Sequence, residues 1–273
     1  MQTSGGYRVS ITSASSTHQP LHCHGFGCIS TTLIRAHLVP QAFGRAVKSI
    51  NGPNTRVSER VVSRKAQHGL FDPNILCADC DGYLNKRYDD PAARFINRFE
   101  LAPDELDLSR SHFEKPNVDG DLLCGFVLSV LWRCAISQLF EVSNVTLGPY
   151  VNVAREVLWG HRPLADLPAF KLMVQRYHHS PGIDKMYSMP MPIVASVGGR
   201  AWHGYVFMLV GFRFMITLDP QPLPPEYDPY LLNGNTTLRG SLVDFRTTHE
   251  AQQVRELTAL HNRKAEVVGR QNR

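Results

Sequence analysis

The sequence predicts an α+β protein in two parts: a small cysteine-stapled N-terminal unit, then a helical region with a small antiparallel sheet. Three observations predict it. Two close cysteine pairs, Cys23/Cys28 and Cys77/Cys80, bracket a segment with little core of its own. The run DLLCGFVLSVLWRCAISQLF at 121–140 is apolar all round, as a buried helix is. Beyond residue 190 the period shortens, and β-rich runs alternate with glycines. With 273 residues, 43% of them hydrophobic and 19% charged, the chain can build a real core as one large domain or two small ones.

Residues 1–20 are polar and rich in Ser, Thr and Gly; they read as a flexible N-terminus without the apolar stretch of a signal peptide. The stapled unit, 21–100, opens with LHCHGFGCISTTLIRAHLVPQAF (21–43) and continues through a polar, basic insertion. FDPNILCADCDGYLNKRY (71–88) carries the second pair and opens a helix near Cys77, and PAARFINRF (91–99) is a short amphipathic helix. Residues 100–118 form a polar connector with Pro103 and Pro116 as breakers. The C-terminal domain, 118–265, starts with the buried helix and adds a second helix at 148–160. PIVASV (192–197), AWHGYVFMLV (201–210) and FRFMITLD (212–219) are strands parted by Gly198–Gly199 and Gly211. A Pro-rich loop, PQPLPPEYDP (220–229), leads on towards a C-terminal helix, THEAQQVRELTALHNRK (248–264), with a basic, frayed tail. Trp132, Trp159, Phe207, Phe212 and Phe214 fall at core-like spacing, and His178–His179 precede Ser180-Pro181 in a loop.

The net charge of +5 leaves nucleic acid open as a partner. The longest apolar stretches, near 122–132 and 205–218, are too short to span a bilayer, so the expectation is a cytoplasmic protein with no membrane partner. Of the six cysteines, Cys124 and Cys134 sit in the apolar helix as small core residues. In a reducing cytosol the close pairs read as metal ligands rather than bridges. Four thiolates from Cys23, Cys28, Cys77 and Cys80 make a closed tetrahedral site, which suits a structural Zn2+ and leaves no position for water or substrate. His22 and His24 flank Cys23 as alternative ligands. The binding energy of such an ion appears as folding energy.

Between the pairs lies Arg35-Ala36-His37-Leu38-Val39-Pro40. Together with Asp72-x-Asn74-Ile75-Leu76-Cys77-x-x-Cys80-Asp81, it resembles the zinc-stapled HNH (ββα-metal) endonuclease family over roughly residues 21–90. The resemblance implies a ββα-metal fold with His37 as the general base that activates water and Asn74 orienting its ring. Asp81 would hold a catalytic divalent cation, Mg2+ or Mn2+, against the scissile phosphate. The family places an acidic or His ligand immediately before the base, and here that position is Ala36. Asp72, Asp79, Asp89 and Asp90 are the acids at hand to replace it. Taken residue by residue, His37 also fits a packed histidine, Asp81 a helix-terminal carboxylate and Asn74 a turn residue.

In the insertion, Arg45, Lys48, Arg56, Arg60, Arg64 and Lys65 face one acid, Glu59. Such a stretch predicts salt-dependent binding to a DNA or RNA backbone, the alternative being a solvated basic loop. Two functions follow: a metal-dependent nuclease of HNH type, as in phage or bacterial mobile-element conflict, and a catalytically inactive zinc-stabilised nucleic-acid or protein interaction module.

Overall fold

The computed structural model describes residues 21–46, 54–57, 62–66, 69–100, 111–178, 182–197 and 199–271. The expected flexible terminus 1–20, Lys48, Arg60, His179 and most of the polar connector lie outside these residues. Within them, the N-terminal unit is built on a ribbon of two very short strands. β1 (Ala36–His37) pairs antiparallel with β4 (Phe71–Asp72), placing Ala36 opposite Asp72 and His37 opposite Phe71. A ribbon this small has no stability of its own in water. It persists because Ala36, Leu38, Val39, Phe43, Ile75 and Leu76 around it are fully or nearly fully buried. Between its strands the chain makes α1 (Gln41–Ala46) and a hairpin of β2 (Asn54–Val57) and β3 (Val62–Ala66).

After β4, helix α2 (Ala78–Leu84) runs through a π-helical turn, Asn85–Asp89, into α3 (Asp90–Arg98). The sequence suggests two separate helices here, but the path is continuous. Pro91 stands in the first turn of α3, where its missing N–H removes no intrahelical bond. The wider turn buries Tyr88 and Asp89. Helix α4 (Gly120–Ile136) crosses it closely: a Cβ on Gly125 would lie 2.2 Å from the Tyr88 ring, so only glycine fits there. As its sequence predicts, α4 is buried on all sides; the Asp119 carboxylate caps it by accepting from the Leu122 N–H at 2.9 Å. It ends at Ile136, sooner than the apolar run does. Helix α5 (Val151–Leu158) packs beside it.

The sheet is larger than the sequence suggests, and it is mixed. β5 (His112–Pro116), β6 (Phe170–His178), β7 (Met191–Val197), β8 (Arg200–Leu209), β9 (Phe212–Leu218) and β10 (Thr237–Asp244) lie in the order β5-β10-β6-β9-β8-β7. β10 runs parallel to β6, and every other pairing is antiparallel. The predicted strands β7, β8 and β9 form a meander with glycine turns. The other three escape sequence reading for physical reasons. β5 is an edge strand ending in Pro116, a position where a missing donor is tolerated. β6 breaks its in–out alternation at Arg176, and β10 has Gly240 in its middle.

One face of the sheet packs on α4, with the Phe126 and Phe214 rings 6.4 Å apart. A single apolar cluster runs from Cys23 through α4 to Leu242, so stapled unit and sheet share one core. Trp132, Phe207, Phe212 and Phe214 are buried in it as expected, and Trp159 is half-buried. Cys124 and Cys134 are buried core thiols. Helix α6 (His249–Gln271) begins on a smaller cluster of Tyr177, Ile183, Met208, Phe245 and Ala251, and it also touches β2 and β3. Among the described residues no helix is long and apolar enough to cross a membrane.

Candidate functional site

The cysteines come together where the sequence expects. Residues 23–30 fold back on themselves: the Cys23 N–H donates to the Ser30 carbonyl at 2.8 Å and the Cys28 N–H to the Gly25 carbonyl at 3.2 Å. The turn is pinned to the segment before α2 by the His24 N–H donating to the Ile75 carbonyl at 2.9 Å. Cys77 is the N-cap of α2 and Cys80 lies in its first turn. The four Sγ atoms all lie within 4.8 Å of one another, and Cys28 Sγ is 3.7 Å from Cys77 Sγ. A disulfide needs about 2 Å. Tetrahedral coordination at about 2.3 Å separates neighbouring sulfurs by about 3.8 Å, close to the Cys28–Cys77 separation and within the 4.8 Å that bounds all four. The four cysteines can hold one metal ion.

The surroundings are built for that. The Gly25 N–H at 3.4 Å and the Cys77 N–H at 3.2 Å both donate to Cys23 Sγ, the kind of outer hydrogen bond that stabilises a thiolate ligand. A Cβ on Gly25 would stand 2.2 Å from Cys80 Sγ and 3.3 Å from the Trp159 ring, so a side chain there would occupy the cluster itself. Burial pushes the Cys23 and Cys80 thiols up. Burial acts the same way on Cys77, but hydrogen bonds from the Cys80 backbone and the neighbouring thiols outweigh it and pull Cys77 down. A cation among them supplies the charge that four clustered thiolates, three of them buried, need. His22 and His24 are exposed, and neither joins the ligand group.

The residues of the HNH resemblance are distributed around the β1–β4 ribbon. His37 is half-buried on β1, with its ring 6.2 Å from that of Phe71. The Arg35 guanidinium lies 3.7 Å over the same Phe71 ring, which sets a cation on the ribbon beside His37. Asp81 is half-buried in the first turn of α2, where the helix dipole favours a carboxylate. Burial pushes its carboxyl up, against the pull of the Arg133 guanidinium. Asn74 is exposed, and its backbone N–H donates to Asp72 Oδ1 at 2.8 Å.

The His37 carbonyl is held from elsewhere. Arg133 Nη1 donates to it at 3.0 Å and to Asp89 Oδ2 at 2.9 Å, while Arg133 Nη2 donates to Asp89 Oδ1 at 2.8 Å. Arg133 and Asp89 are both buried. Asp72, also buried, accepts from the Ser137 hydroxyl at 2.6 Å. Two of the acids that could replace the family ligand, Asp72 and Asp89, are thus engaged by protein donors, while Asp79 and Asp90 are exposed. Ala36 is wholly buried. Among the described residues the four cysteines are the one group of three or more His, Cys, Asp or Glu side chains close enough to hold an ion.

The sequence alone assigns no role to Arg133, Ser137, Arg35 or Gly25. Arg133 does carry a signal, as the one charge in α4 beyond its first turn, and a buried Arg requires a partner. Of the basic insertion, Arg45 lies in α1, and the hairpin sets Arg56 opposite Arg64 and Thr55 opposite Lys65. The chain matches no protein-family model, no curated protein and no solved structure.

Proposed function

We propose that the chain is a nucleic-acid-binding protein of the HNH endonuclease type, its ββα unit locked by one structural Zn2+. The observation that carries this reading is the order strand, insertion, strand, helix, with His37 on β1, Asp81 on α2 and the thiol cluster joining the loop before the one to the start of the other. Zinc is the ion of choice because four thiolates in tetrahedral spacing match its preference. In this reading His37 takes the proton of a water attacking a phosphodiester, and Arg35 and the basic hairpin hold the backbone. Asp81 supplies an oxygen ligand for Mg2+ or Mn2+, which when bound offsets charge on the scissile phosphate.

A second reading, a binding module without cleavage, is favoured by one observation. Ala36 is buried, its cross-strand partner Asp72 is tied to Ser137, and Asp89 is tied to Arg133, so a second oxygen ligand for the cation is missing from the ribbon. A nicking assay on plasmid DNA and a cleavage assay on RNA, each with Mg2+ or Mn2+, separate the two. Cleavage by the wild type and none by His37→Ala, with zinc content intact, supports the enzyme. Binding without cleavage under either metal leaves the module.

A further inference from the structure

The end of helix α4 reaches the stapled unit twice, through Arg133 in its last turn and through its C-cap Ser137, where the chain is already extended. Arg133 reaches β1 through the His37 carbonyl at 3.0 Å, and Ser137 reaches β4 through the Asp72 carboxylate at 2.6 Å. The guanidinium is fully committed: Nε donates to the Ser129 carbonyl at 3.3 Å, and the two terminal nitrogens grip Asp89 in the π-helical turn. With a relative exposure of 1% it cannot touch a phosphate, and it is not a stand-in for the catalytic cation. Its fork instead ties three elements together, β1, the π-helical turn and α4.

We propose that Arg133 is the positioning residue for His37, with Ser137 holding the opposite strand. The family resemblance assigns the orienting of the His37 ring to Asn74, which is exposed; Arg133 acts instead through the His37 backbone. The two-residue ribbon has no hydrogen-bond ladder long enough to fix the direction of its side chains. A bidentate arginine anchored at Asp89 removes that freedom from the backbone of residue 37, and so sets where the imidazole points. The base of the N-terminal unit is therefore aimed by a helix of the C-terminal part. This rests on His37 being the working residue of the site.

The test uses the full-length, zinc-loaded chain. Arg133→Met combined with Asp89→Leu removes fork and carboxylate together and leaves no orphaned charge; Arg133→Lys keeps the charge but loses the fork; Ser137→Ala releases β4 alone. Zinc per chain and thermal unfolding report the fold. The His37 imidazole NMR signals, assigned with His37→Ala, report its orientation and pH titration. In the double variant we expect wild-type zinc content, displaced His37 signals and a fall in nicking kcat on the order of 10- to 100-fold with KM little changed, with partial recovery in Arg133→Lys. Unaltered His37 signals and titration in the folded double variant overturn the proposal. If the double variant fails to fold, the same reading on Ser137→Ala and Arg133→Lys decides it. A wild type that nicks nothing defeats the nuclease reading alone, because the His37 signals still show whether Arg133 aims the ring.

Discussion

Gly25 and Ala36 have no functional groups, yet each sets a limit on its site. With the Cβ position of residue 25 at 2.2 Å from Cys80 Sγ, Gly25→Ala must push Cys80 out of the cluster. Elemental analysis should give about one zinc per wild-type chain and clearly less for Gly25→Ala, and Cys77→Ser should aggregate or unfold the N-terminal unit. A fully loaded Gly25→Ala would show that the ion sits elsewhere. The cysteines are legible in the sequence because two short-range pairs are a pattern. Gly25 is not, because its role is a distance to a residue far along the chain. Ala36 matters for the opposite reason. Restoring the family's acid with Ala36→Asp looks from sequence like a gain of ligand, but the side chain at 36 is wholly buried and lies across from buried Asp72. An unpaired carboxylate there should cost several kcal/mol. The expected result is a lower melting temperature with no gain in nicking.

The helices are the most readable elements, since α4, α5 and α6 carry their burial pattern in their own residues. The sheet is half readable. β7, β8 and β9 are β-rich and glycine-bounded, whereas β5 and β10 take their pairing from strands far away in sequence. The link that joins α4 to the ribbon is hidden for the same reason. Arg133→Ala would leave Asp89 buried without its partner, and the expected loss is about 3–5 kcal/mol of unfolding free energy, against a much smaller change when both are replaced by apolar residues. Chemical denaturation of the two variants measures the difference. At the other end of the sheet, Asp244 starts the turn into α6 by accepting from the Arg246 N–H at 2.9 Å. Hydrogen bonds from the Arg246 side chain and backbone lower its carboxyl to about 2. A depressed carboxyl stabilises the folded state above its unfolded value of about 4 and loses that effect as pH falls towards its folded value. Carboxyl NMR should therefore show Asp244 titrating at about 2. Protection from amide exchange at the start of α6, relative to the unfolded chain at the same pH, should fall as the pH drops from about 4 towards that midpoint, and Asp244→Asn should remove this pH dependence.

At the scale of the whole molecule, two distant parts of the chain that carry basic residues meet, the β2–β3 hairpin and helix α6. The β2–β3 hairpin sets Arg56 opposite Arg64 in register. Helix α6 touches both of its strands and carries exposed Arg255 and Arg263. Such an arrangement gains when a polyanion lies along it, because each phosphate neutralised releases counterions. The sequence points to the insertion alone; the contact of α6 with the hairpin is not visible there, since it joins strands β2 and β3 to a helix far along the chain. Arg60→Glu with Arg64→Glu should weaken binding to duplex DNA and flatten the dependence of log K on log salt. The slope should fall by about 0.9 for each phosphate no longer neutralised, or about 0.7 on a single strand. Arg263→Glu should move affinity and slope in the same direction by about one phosphate's share, with zinc content unchanged in all of these variants. Titration of labelled duplex and single-stranded oligonucleotides across a salt series reads both quantities. If the hairpin variant changes them and Arg263→Glu does not, the binding face stops at the insertion. If neither changes them, the basic surface is only solvated.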